Sequence, residues 1–240
     1  MSSEWKAKRF WKEARVARTS DGFTIRLDER PVKTPAKRAL VLPTQSFAEV
    51  VAAEWDAQED VINPNSMPAT KTANAALDKV AVQHAEVADM LADYGDSDLL
   101  CYRADRPEEL IARQSRHWDP MLDWAEEALG VRLETRTGVM HAPQDAKTLE
   151  VLRQRTHALS AFELAAFHDL VSLSGSLVLG FAASMQVRPA TEIWTLSRLD
   201  ENWQAEQWGR DDVAEAQAAV KEASFLHASR MFTLCRENPA

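Results

Sequence analysis

Six histidines, at positions 84, 117, 141, 157, 168 and 227, and two cysteines, Cys101 and Cys235, are the residues best suited to hold a metal ion or attack a substrate. Their spacing argues against both. No HxxxH or HExxH occurs, neither cysteine has a second ligand type close by, and no CxxC is present. We expect no metal and no cofactor, with the histidines on the surface or hydrogen-bonded in the core. The run Ser174-Gly175-Ser176-Leu177-Val178-Leu179-Gly180 lacks GxSxG spacing and does not stand between a strand and a helix, so helix packing through small residues explains it better than a nucleophile. Lys71-Thr72 follows no glycine loop and no GxGxxG occurs, which leaves nucleotide binding unsupported. The acids Asp96 and Asp98, Glu126 and Glu127, Asp200 and Glu201, and Asp211 and Asp212 have the types needed for proton transfer. Solvated faces and helix starts account for most of them. Asp211 and Asp212, just after Gly209, suit the positive end of a last helix.

Tryptophan stands out instead. Of eight, several sit beside acids: Glu54-Trp55-Asp56, Trp118-Asp119, Asp123-Trp124, Glu201-Asn202-Trp203 and Glu206-Gln207-Trp208. Such pairs suit protein interfaces, where the ring supplies apolar area and the charged rim sets specificity. Trp118 and Trp124 share a helical pattern with Leu110, Ile111, Met121, Leu122 and Leu129 and are expected in a core. For Trp55, core and interface remain equally open. Trp203 and Trp208 are five apart and cannot point the same way on one regular helix, which sends at least one toward the surface.

These residues must be positioned by a chain of 240 residues, 45% hydrophobic and 27% charged, long enough to bury a core without disulfides or metal. A net charge of -9 argues against general nucleic-acid binding, because phosphate neutralisation needs a basic footprint. Basic residues from Lys6 to Arg18 are interrupted by Glu4 and Glu13, so the N-terminus reads as mature protein and not as a targeting segment. The most apolar stretch, 170–185, carries four serines and predicts a buried helix, not a membrane span.

From 14 to 42 the pattern alternates with period two and is punctuated at Asp21-Gly22 and Arg30-Pro31, predicting a small antiparallel meander. Thr44 or Ser46 caps a helix reaching Trp55. Helices are then expected over 72–91, 107–129, 146–159, 161–185 with a break near Gly175, 191–208 and 211–235, with 131–137 as an isolated extended segment. Gly95, Gly130, Gly138 and Gly209 fall at predicted helix ends. Strands first and helices afterwards predict an α+β fold, with a β-rich N-terminal domain over 1–85 and a larger helical domain over 86–240.

The sequence also resembles a known family. Lys8-Arg9-Phe10-Trp11-Lys12, Arg30-Pro31-Val32-Lys33-Thr34-Pro35, Ala53-Glu54-Trp55-Asp56-Ala57-Gln58 and Met67-Pro68 are similar to the N-terminal half of the alpha-subunit assembly chaperones of F-type ATP synthase. Asp98-Leu99-Leu100-Cys101-Tyr102-Arg103, Gln114 with Trp118-Asp119-Pro120, Ser172-Leu173-Ser174-Gly175-Ser176-Leu177, and Leu199-Asp200-Glu201 with Gln204 and Trp208-Gly209 resemble its helical half. The likeness runs from about residue 8 to about 215 and keeps the order of the motifs. It implies a non-enzymatic chaperone that holds the unassembled alpha subunit until the beta subunit replaces it. Without a presequence, a bacterial cytoplasmic member is expected, where eukaryotic relatives act in the mitochondrial matrix. The resemblance marks Glu201 as a functionally sensitive acid and Trp55 second. Together with their neighbours, Glu54, Trp55, Asp56, Asp200, Glu201, Gln204 and Trp208 are the candidate partner-binding residues. A small hydrolase or transferase using Asp96, Asp98 or His168 in an acidic inter-domain cleft is the alternative, and a generic protein-binding adaptor is a third reading.

Overall fold

A computed structural model of the chain describes residues 8–236. Glu4 and Lys6, and the outermost residues of both expected domains, lie outside it. The chain is α+β, as its pattern predicts: a small antiparallel sheet near the N-terminus is followed by helices. It divides into two compact units. The first comprises residues up to 83 with 161–165 and 230–236, and the second comprises 84–160 and 166–229.

The first unit is built on β2 (Gly22–Leu27), which pairs with β1 (Ala14–Thr19) along one edge and with β3 (Arg30–Pro31) and β4 (Val41–Leu42) along the other. Thr19 faces Gly22 across the first hairpin. A Cβ on Gly22 would lie 2.3 Å from the Leu42 carbonyl oxygen, so only glycine lets β4 approach there. Phe23, Ile25 and Leu27 alternate inward. The sheet therefore has one central strand, not the successive pairing of a meander, because β3 and β4 share an edge of β2. Against it lies α1 (Gln45–Asp56). Thr44, not Ser46, caps this helix by accepting from the Phe47 amide at 3.2 Å, and Phe47, Ala48, Val51 and Ala52 form its buried face. Next comes α2 (Pro68–Ala75), which starts on a proline.

The helix expected over 72–91 is broken. Ala76–Val80 forms a π-helical turn, and a new helix, α3 (His84–Ala92), starts afterwards. The cause is tertiary. Arg38 donates to the Leu77 carbonyl at 2.8 Å, and the Ala81 amide bonds instead to Ala76 at 2.8 Å, one residue further back than an α-helix requires. Asp78 is anchored at the same place, accepting from the Thr34 hydroxyl at 2.7 Å and the Ala36 amide at 3.0 Å.

The second unit packs α4 (Glu108–Leu129), α5 (Ala146–His157), the remainder of α6 (Ala161–Ser174), α7 (Leu177–Ser184), α8 (Ala190–Ser197), α9 (Leu199–Trp208) and most of α10 (Asp212–Arg236). Every residue of α7 is buried, the behaviour of a helix apolar all round. Gly180 permits this closeness: a Cβ there would stand 2.6 Å from a Val171 methyl on α6. The extended segment after α4 contributes only β6 (Arg136–Thr137), which pairs in parallel with β5 (Tyr102–Arg103). The helix expected over 191–208 is two helices. The indole of the fully buried Trp118 donates to the Leu196 carbonyl at 2.9 Å, and the chain turns at Arg198. No helix among the described residues is long and apolar enough to cross a membrane.

Candidate functional site

The seven candidate residues occupy two places. In the first unit, Glu54, Trp55 and Asp56 end α1, and all three are engaged with their surroundings. The Glu54 carboxylate accepts from the Ala69 amide at 2.6 Å, and from the Thr70 amide and hydroxyl at 2.7 Å each. It thereby satisfies orphan donors at the start of α2, where a negative charge also complements the helix dipole. Trp55 is half-buried, its ring edge-on to the buried Trp11 with centroids 5.4 Å apart. Asp56 accepts from Arg9 and from the Ala14 amide, both at 3.4 Å, tying the N-terminal segment to the helix.

In the second unit, Asp200, Glu201, Gln204 and Trp208 lie along α9, whose only buried residue is Leu199. A helix so poorly buried must be held by polar contacts, and α4 supplies them. The buried Gln114 accepts from the Ala104 amide at 2.9 Å and donates to Asp200 at 2.8 Å. Arg113 forms a two-pronged pair with Glu206 at 2.5 and 2.8 Å, and its guanidinium also lies 5.6 Å from the Trp203 ring centroid. The hydrogen bonds from Arg113 hold the Glu206 carboxyl below the usual range, and those to Glu206 raise Arg113. Glu201 is exposed and pairs with Arg198 at 2.6 Å. Gln204 is exposed, and Trp208 is 79% exposed, an unusual setting for so large a ring. Trp203 is half-buried, so of the two tryptophans five apart one reaches solvent.

A groove of about 830 Å³ opens beside this helix. Trp194, Ala205, Trp208, Ala214 and Ala218 give it apolar lining, and Glu201, Glu206, Asp211, Glu215 and Glu222 are among its charged residues. The arrangement offers an aromatic ring, small residues and carboxylates to a protein surface. Sequence reasoning passed over Arg113 and Arg198, which set the position of this helix and its acid. Their only signal was a basic residue three before Glu201 and another next to Gln114.

The residues of the alternative reading serve elsewhere. Asp98 is fully buried and accepts from the Leu100 amide at 3.0 Å and the Val178 amide at 3.0 Å, capping a short 3₁₀ turn and the start of α7. Burial pushes its carboxyl up to about 6, against the lowering effect of those hydrogen bonds. Asp96 accepts from the Gln144 amide at 2.7 Å and lies 3.3 Å from His141. His168 pairs with its neighbour Asp169 at 2.9 Å. Ser174 donates to the Leu170 carbonyl at 2.5 Å, and Ser176 caps α7 by accepting from the Leu179 amide. Burial raises both cysteine thiols above their ordinary range. Among the described residues, no three His, Cys, Asp or Glu side chains gather where they could hold a metal ion. Trp118 is fully buried as expected, whereas Trp124 is only half-buried.

Comparison with known proteins places these features in context. Residues 8–126 match the family described as the ATP12 chaperone protein. The crystal structure of Atp12 from Paracoccus denitrificans matches with a TM-score of 0.94 at 48% identity, covering 97% of this chain and 100% of that one. The Agrobacterium tumefaciens protein Atu1473 matches at 0.89 and 40% identity, covering 95% and 85% of the two chains. The mitochondrial protein atp12 of Schizosaccharomyces pombe is 26% identical over 96% of this chain and 84% of its own length.

Proposed function

Because this chain belongs to the ATP12 chaperone family, we propose that it is a chaperone for assembly of the F-type ATP synthase catalytic sector. It binds the unassembled alpha subunit until the beta subunit takes its place. It acts by covering a surface and catalyses no reaction. A bacterial cytoplasm is its compartment, the S. pombe relative being mitochondrial.

The observation that carries this reading is the 79% exposed Trp208 set among Glu201, Glu206, Asp211 and Glu215 in a protein matching a chaperone along nearly its whole length. Orphan subunits expose apolar interfaces meant for a neighbour, and such patches associate with whatever they meet. A chaperone has to cover the patch and then yield it. A covered area smaller or wetter than the native interface achieves both, since affinity follows interface quality and not area alone. Asp200, Glu201, Gln204 and Trp208 form the contact surface. Glu54, Trp55 and Asp56 keep the first unit folded.

The direct test is capture of separately expressed alpha and beta subunits on this protein, repeated with beta as competitor. The expected result is capture of alpha alone, lost when beta is added. Capture of neither subunit, or an alpha complex of picomolar affinity that beta cannot displace, overturns the reading.

A further inference from the structure

The first three turns of α10 are solvated around nearly their whole circumference. Within 212–223 only Ala218 and Glu222 are half-buried, and the fully buried face of the helix starts at Phe225. Val213 and Val220, 67% and 69% exposed, stand seven residues apart and therefore on one line of the helix. The exposed Ala216 and Ala223 fall beside them and complete an apolar stripe two to three turns long. The stripe contributes little to the buried core. Three isolated turns are marginal in water, and β-branched valine lowers helix propensity while gaining nothing from burial here. The other side of the same turns, through Ala214 and Ala218, borders the groove that Trp208 also lines.

Charge selects the occupant. Asp211, Asp212, Glu215 and Glu222 stand at the start of the helix or within its first three turns against Arg210, which pairs with Glu215 at 3.2 Å, and Lys221, leaving an acidic excess in a chain of net charge -9. A second copy of this chain would bring the same acids to the same stripe and be repelled. An apolar surface bordered by Lys and Arg is attracted to the acids and covers the valines.

We propose that residues 212–223 of α10 are a docking arm, gripped by the client subunit as a helix in an apolar groove with a basic rim. This rests on the proposed function and adds to it the element, the binding mode and the chemistry of the client surface. Glutamine is at least as good a helix former as valine, so the double variant Val213→Gln, Val220→Gln removes the stripe without unfolding the arm.

The experiment measures capture of the purified alpha subunit by the full chain, the double variant and a control, Val82→Gln, altered at a 58% exposed valine outside α10. Amide hydrogen exchange over 212–223 is followed with and without the alpha subunit. The expected result is at least tenfold weaker capture by the double variant, unchanged capture by the control, unchanged circular dichroism for both, and slowed exchange in the arm on binding. Equal capture by the double variant with no added protection overturns the arm while leaving the proposed function standing. Absence of capture by the unaltered chain overturns the proposed function, and the arm with it. Self-association of the unaltered chain that the double variant loses assigns the stripe to a second copy and overturns the client as occupant.

Discussion

Glu201 stands exposed on α9, its carboxylate 2.6 Å from Arg198 three residues earlier. An ion pair in that setting adds little to stability, because water screens it and two side chains lose freedom to make it. Glu201→Lys is therefore expected to shift the melting temperature by no more than ~2 °C while impairing capture of the alpha subunit. Loss of the cooperative melt would assign the residue a folding role instead. Trp55 is the opposite case. Its half-buried ring packs on Trp11, so Trp55→Arg removes that contact and drives a charge against the core, lowering stability by about 2–4 kcal/mol in urea titration. Asp98 makes the pH-dependent prediction. Its folded pKa of about 6 lies above the ordinary carboxyl value, so the folded state binds the proton more tightly than the unfolded chain does. The stability this group contributes is full below about pH 4 and is lost as pH rises through 6, on the order of 3 kcal/mol. Against Asp98→Asn, the advantage of the unaltered chain should shrink over that window; an advantage growing with pH contradicts the assignment.

Among the elements, α9 depends most on borrowed support. Leu199 is its only buried residue, and Gln114 and Arg113 of α4 hold it through Asp200 and Glu206. Gln114→Ala strands the Ala104 amide and the Asp200 carboxylate at once, and leaving such groups without partners costs about 1–3 kcal/mol. Amide exchange should accelerate in α9 more than in α7, which is buried along its whole length. Uniform acceleration would mean that Gln114 supports the whole unit and not this helix.

Across the molecule, the proposed docking of an acidic chain on a basic client surface predicts an encounter rate raised by long-range attraction that salt removes. The association rate with the alpha subunit is expected to fall about tenfold between low and high ionic strength, with a smaller change in dissociation. An association rate indifferent to salt would remove electrostatics from recognition. At this scale the sequence by itself determined a great deal. Period-two alternation before residue 43 and helical periodicity after it specify the α+β class, because each pattern places one apolar face only in its own geometry. A cap at Thr44 or Ser46, of which the structure uses Thr44, and the break near Gly175 were legible for the same local reason. Tertiary structure alone decided that the helices expected over 72–91 and 191–208 are interrupted. Arg38 taking the Leu77 carbonyl, and Trp118 taking that of Leu196, are donors remote in sequence that compete for helix acceptors no local pattern reveals. Exposure was decided there too. Glu54-Trp55-Asp56 and Glu206-Gln207-Trp208 read alike as acid-flanked tryptophans, yet one acid caps α2 beside a half-buried ring and the other ring stands in solvent. A residue's neighbours along the chain fix its local geometry, while its burial depends on which distant elements fold against it.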